Sequence, residues 1–111
     1  YPDRITTPFG RIDFATLGRL DFEPPDREAF PCLGLAYDAG RRGETAPAWL
    51  NAANEVAVEA FLEGRIRWQQ IPIVIGRCLD RHDGAPASSV EAVVAADAAA
   101  RRTATGIIET F

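Results

Sequence analysis

The sequence contains no methionine, no lysine and only one histidine. Without lysine, Schiff-base chemistry is excluded, and arginine carries all twelve positive charges. The lack of methionine, with Tyr1 in first place, leads us to expect a processed product or a piece of a longer polypeptide. Cysteine is nearly absent. Cys32 and Cys78 stand alone, neither in a Cys-x-x-Cys pair, so no thiolate metal cluster is encoded. Both fit helix faces as small apolar residues and are expected to be free thiols. No apolar run approaches the roughly 18 residues that a membrane span requires, and no signal segment is visible. The expectation is a cytoplasmic protein with no membrane partner. Glycine-rich phosphate loops of the G-x-G-x-x-G or G-x-x-x-x-G-K-[ST] type are missing too. The net charge of −4 argues against nucleic acid as a partner, because phosphate-backbone binding needs clustered cations. The only adjacent basic pairs, Arg41-Arg42 and Arg101-Arg102, read as solvated helix ends.

Hydrophobic residues make up 47% of the chain, which is ordinary for a globular protein, but many of them are alanine. That composition predicts a thin, closely packed core in one small domain of marginal stability. Residues 1–29 are set apart by Pro2, Pro8, Pro24 and Pro25, with Gly10 and Gly18 between them. Proline fixes φ and removes a donor, so a long helix is excluded there. Leu20-Asp21-Phe22-Glu23 alternates at period two and reads as a possible short strand. A lone strand leaves its backbone groups unpaired. This stretch is therefore expected to be an extended linker that packs on a domain not included in these residues or on another subunit.

Four helical segments follow, which predicts a mainly α protein, a compact four-helix bundle over residues 30–106 with a tail at 107–111. The first runs over 31–39, with Pro31 in an early helical position and Leu33, Ala36 and Tyr37 on one face. The second runs over 47–63, with Thr45 as N-cap and Gly64 as terminator. Its buried stripe is Trp49, Ala53, Val56, Ala57, Ala60 and Phe61, widened by Leu50, Asn54 and Leu62. The third runs over 70–81, with Ile71, Ile75, Cys78 and Leu79 inward and His82 beside them. Gly76 should weaken it by about 1 kcal/mol relative to alanine. The fourth opens on Ser88-Ser89-Val90-Glu91, read as a capping box with Ser88 as N-cap. Its face is Val90, Val93, Val94 and Ala98, and it is expected to finish by Thr105, ahead of Gly106. Short connections favour antiparallel neighbours.

Few residues suggest chemistry. His82 sits in Asp80-Arg81-His82-Asp83 at a helix C-terminus, where a structural or surface role is expected. Glu55, Glu59 and Glu63 share a helix face at i, i+4, i+8. Di-metal bundles need matching Glu-x-x-His partners on other helices, and none occurs, so this is a solvated face. A metal-dependent hydrolase built from Glu55, Glu59, His82 and Asp83 is a minor rival. Asn51 and Asn54 carry more weight. Asparagine is a mediocre helix former, so two of them early in an apolar helix suggest specific polar contacts. We expect Asn51, Asn54 and Glu55 to be structural or interdomain residues that orient the bundle against the linker or a neighbouring domain.

Leu50-Asn51-Ala52-Ala53-Asn54-Glu55-Val56-Ala57-Val58-Glu59-Ala60-Phe61-Leu62 also reads as a family signature. With Phe30-Pro31-Cys32-Leu33 and Phe61-Leu62-Glu63-Gly64-Arg65-Ile66-Arg67, it resembles the C-terminal part of the 1-deoxy-D-xylulose 5-phosphate reductoisomerase family. Tyr1-Pro2-Asp3-Arg4 resembles that family's exit from its catalytic domain, and Leu20-Asp21-Phe22-Glu23-Pro24-Pro25-Asp26 the link that follows. The resemblance implies an NADPH-dependent enzyme of non-mevalonate isoprenoid biosynthesis, assisted by Mg²⁺ or Mn²⁺ and commonly homodimeric. The catalytic and NADPH-binding domains lie upstream in that family, and they are the implied partners of this segment. No catalytic, cofactor-binding or metal residue of the family maps onto these positions, so the segment alone is expected to be inactive and to bind no cofactor. The rival is a stand-alone helical protein-interaction module that uses the region of Trp49 and Trp68.

Overall fold

In a computed structural model, which describes residues 8–111, the N-terminal stretch holds one short helix, α1 (Phe14–Leu17). Asp13 starts it by accepting from the Ala15 N–H at 3.0 Å, and Gly18 ends it at φ 72°, a conformation that suits glycine. The region around Leu20-Asp21-Phe22-Glu23 is irregular, and no strand occurs among the described residues. The period-two pattern had no partner strand to pair with, so backbone pairing could not form. Tyr1-Pro2-Asp3-Arg4 lies outside the described residues. Every described residue up to Leu33 is exposed.

Three prolines then mark helix starts, where a missing N–H costs nothing. Pro31 opens α2 (Pro31–Arg42), Pro47 lies in the first turn of α3 (Ala46–Leu62), and Pro72 lies in that of α4 (Ile71–Leu79). A 3-10 turn at Trp68–Gln70 leads into α4. The last helix, α5, spans Val90–Ile108. Its N-cap is Ser89 rather than Ser88: the Ser89 hydroxyl accepts from the Ala92 N–H at 3.2 Å. Adjacent serines offer equivalent caps to a sequence reading, and the loop geometry chooses one.

Helix α3 is the centre of the bundle. It packs most extensively on α5, then on α4 and α2. The buried seam of the bundle is rich in alanine: Ala52, Ala53, Ala57 and Ala60 of α3 and Ala96, Ala100 and Ala104 of α5 all lie within it. Small side chains let the two axes approach closely. The seam displaces the valines expected to face inward: Val90 and Val94 are exposed, and so are Phe61 and Leu62. Alanine scores weakly as a hydrophobe, so the larger residues beside it drew the sequence reading to the wrong side. The α4 face is as expected, with Ile71, Ile75, Cys78 and Leu79 buried and Val74 added to them.

Two more expectations change. Leu33, Ala36 and Tyr37 share a face of α2, but that face points outward; Leu35 and Ala39 turn to the core instead. And α5 passes through Gly106 without stopping, burying Ile107 and Ile108. The anchoring of those two isoleucines outweighs the roughly 1 kcal/mol that a helical glycine costs.

Candidate functional site

The polar side chains of α3 meet α5 across one solvent-facing edge. Glu55 accepts from Asn51 Nδ2 at 2.9 Å, one turn earlier on the same helix. Its other oxygen accepts from Arg101 Nη2 on α5. Arg101 Nε in turn donates to Asp97 at 2.7 Å. The Arg101 bond, with help from Asn51, holds the Glu55 carboxyl below its usual range, and the two carboxylates raise the Arg101 guanidinium further above an already high value. Asn51 and Glu55 therefore join a network that ties α3 to α5. Asn54 is half-buried and lines a shallow groove with Val58, Glu59 and Leu62 rather than entering that network. The sequence reading expected Asn51 and Glu55 to face the linker or a neighbouring domain and took Arg101 for a helix-end charge, whereas the bonds described here run within α3 and from α3 to α5. The two ends of the Glu55–Arg101 bond lie 46 residues apart, with no local pattern to connect them.

A second polar cluster sits where α3 begins and α4 ends. Thr45 occupies the N-cap position of α3, yet its hydroxyl makes no cap bond. Thr45 is wholly buried; it donates to the Ala85 carbonyl at 2.6 Å and lies 2.9 Å from His82 Nε2. With its proton committed to Ala85, the hydroxyl accepts from His82, so Nε2 carries the hydrogen. The His82 ring also meets Trp49 edge-on, centroids 5.5 Å apart. Next to it, Glu44 accepts from the Ala87 N–H at 2.7 Å, and Arg42 donates to the Leu79 carbonyl at 3.1 Å. The α2–α3 turn thereby clasps the end of α4 and the loop into α5. Glu44 holds a positive φ of 49° within that turn, which only Gly, Asn and Asp adopt with ease. His82 thus holds to Thr45 and Trp49 just past the end of α4. The clasp itself was not legible: Thr45 carried a cap signal, and its true partners lie some 40 residues away.

The described residues do not assemble a reactive centre. Glu55 and Glu59 lie on the α3–α5 edge, His82 in the clasp, and no group of three or more His, Cys, Asp or Glu side chains converges among the described residues. Cys78 is buried, its thiol pushed up to about 11 by desolvation, and Cys32 is exposed with its thiol raised by partial burial. Trp49 is buried, so the surface expected from Trp49 and Trp68 together does not exist. Trp68 is half-exposed and meets Phe30 edge-on, with ring centroids at 6.3 Å. Around that pair lies a cleft of about 250 Å³, lined among others by Cys32, Ile71 and Pro72.

Residues 1–103 match the family described as "DXP reductoisomerase C-terminal domain". The chain belongs to that family. The 1-deoxy-D-xylulose 5-phosphate reductoisomerase of Ralstonia pickettii (strain 12J) is 54% identical over 110 residues, 99% of this chain and 28% of the relative. That of Ralstonia nicotianae is 57% identical over 104 residues, 94% of this chain and 26% of the relative. Among solved structures, the reductoisomerase from Zymomonas mobilis in complex with NADPH superposes with a TM-score of 0.87 at 41% identity, over all of this chain and 29% of that one. A DOX-P reductoisomerase in complex with NADPH, fosmidomycin and magnesium gives 0.83 at 36% identity, over 98% of this chain and 29% of that one. The chain thus spans little more than a quarter of the length of these family members. The expectation built on residues 30–67 is met, and the mainly α architecture is that of the family's C-terminal domain.

Proposed function

We propose that this chain is the linker and C-terminal helical domain of a 1-deoxy-D-xylulose 5-phosphate reductoisomerase. The parent enzyme converts its ketose phosphate to 2-C-methyl-D-erythritol 4-phosphate in non-mevalonate isoprenoid biosynthesis. The observation that carries this reading is the match to the Ralstonia pickettii enzyme, 54% identical over 110 residues. NADPH and the divalent metal are assigned to the parent's upstream domains. The residues described here do not fit either group: no metal-ligand cluster converges, both Glu55 oxygens are engaged by Asn51 and Arg101, and no glycine-rich phosphate loop exists. No step of the reaction is therefore assigned to a side chain of this chain.

Its role is support. Residues 1–29 act as the linker, and the helical module begins at residue 30 and takes Ile107 and Ile108 of the tail at 107–111 into α5. Asn51, Asn54 and Glu55 are structural: Asn51 and Glu55 fix α5 against α3, and Asn54 lines the groove beside them. The parent is a homodimer in the cytoplasm, and light scattering on the full-length protein checks the dimer. The decisive experiment is NADPH oxidation by the full-length parent with 1-deoxy-D-xylulose 5-phosphate and Mg²⁺. Substrate-dependent turnover is expected. A folded parent without turnover rejects the assignment and leaves the interaction-module reading in its place.

A further inference from the structure

Helix α2 has two apolar stripes, and only one of them has a partner. Leu35 and Ala39 pack on the core. Leu33, Ala36, Tyr37 and Gly40, at i, i+3, i+4 and i+7, form a second stripe directly beside the first. All four face solvent; Leu33 is 37% exposed and Tyr37 50%. A helix apolar around so much of its circumference is one that is covered on more than one side. Gly40 continues the stripe towards the end of α2. It lies inside a helix, where glycine is unfavourable, with nothing within 4 Å of where its Cβ would be.

We propose that the Leu33–Ala36–Tyr37–Gly40 face of α2, continued by Phe30 and Trp68, is the surface on which the N-terminal remainder of the parent polypeptide docks. The proposal rests on the parent-enzyme reading above and deepens it by naming the face. Two observations select this occupant. The chain matches a C-terminal domain and covers 28% of the Ralstonia pickettii enzyme, so most of that protein precedes the matched stretch. The exposed apolar side chains also continue towards that junction: Phe30, Phe22, Leu20, Leu17, Phe14 and Phe9 all lie bare on the segment that leads into α2. Uncovered apolar area on this scale marks an interface. Arg27 and Arg41, stacked on the Tyr37 ring at 5.2 and 5.5 Å, form its polar rim.

Hydroxyl-radical footprinting of the full-length parent tests this, comparing the native with the urea-unfolded protein at two protein concentrations. Tyr37, Phe30 and Trp68 are expected to lose nearly all their reactivity in the native parent, at both concentrations. Native Tyr37 at half its unfolded reactivity, as its exposure here would give, overturns the proposal. Protection that fades on dilution also overturns it, since the occupant is then a second copy. A second arm uses Ala36→Glu in the parent. Glutamate suits an exposed helical site, so a parent with unchanged melting temperature refutes the docking face, and a clear drop supports it. Turnover measured on the same preparation separates the two readings. Turnover with a reactive Tyr37 rejects the face and keeps the enzyme; a protected Tyr37 without turnover rejects the enzyme and keeps the face.

Discussion

Thr45→Val removes a hydroxyl from the clasp while keeping the side-chain volume. Thr45 is wholly buried, donates to the Ala85 carbonyl at 2.6 Å and receives the His82 Nε2 proton at 2.9 Å. Valine leaves both groups without their partner. An unsatisfied buried polar group costs about 1–3 kcal/mol. Ala85 and His82 are each only half-buried, so water relieves part of the loss. The expected destabilisation is about 2 kcal/mol for the pair, which lowers the melting temperature of a chain this size by roughly 9 °C. Urea and thermal denaturation followed by circular dichroism measure it. Thr45→Ser keeps the hydroxyl and loses one methyl group, a change of about 1 kcal/mol. Stability should therefore fall in the order threonine, serine, valine. Valine as stable as threonine, or serine less stable than valine, would refute the clasp. The ¹⁵N shifts of His82 give an independent check: in the neutral ring Nε2 is protonated and Nδ1 is not, and the reverse tautomer is incompatible with the assigned hydrogen bonds.

Three further outcomes are expected. The Glu55 carboxyl titrates lower in the folded chain than in the unfolded one, so its contribution is present above about pH 4.3 and is lost as the pH falls through the lowered folded value. Glu55→Gln should reduce stability at pH 7 and converge with the wild type in strong acid, with a smaller difference in high salt; a difference independent of pH would contradict the Arg101 bond as its cause. Gly76→Ala should stabilise the chain by about 1 kcal/mol, since the helical penalty is relieved. The new Cβ meets only Leu35 Cδ2, at an ordinary 3.9 Å, and a lower melting point would show that α2 and α4 sit closer than described. With Ellman's reagent one thiol, Cys32, should react in the native chain and Cys78 only after unfolding, because Cys78 is buried with its thiol pushed up to about 11. Two fast thiols under native conditions would count against the packing of α4 on α5.

Where a side chain acts on its own stretch of backbone, the sequence was readable. Pro31, Pro47 and Pro72 placed three helix starts, and the 3.6-residue period found the buried face of α4. Where two faces of one helix compete, it was not. The period on α2 returned Leu33, Ala36 and Tyr37, which share a face, but spacing does not say whether a neighbour covers it. On α5 the valines outscored the alanines, although Ala96, Ala100 and Ala104 are the residues that are buried. Thr45 and Arg101 carried local signals, a cap and a helix-end charge, that concealed their long-range partners.

The sequence by itself determined the family, through the run from Leu50 to Leu62 and its flanks, and the number and order of the main helices, through proline, glycine and apolar spacing. Tertiary structure alone decided which apolar stripe is core and which is bare, which of two serines caps α5, and that Asn51 and Glu55 join α3 to α5. The division has one cause. Backbone propensity and capping act over a few residues and are written along the chain, whereas burial and cross-helix hydrogen bonds depend on which surfaces meet, and residues some 40 apart meet only in the folded bundle.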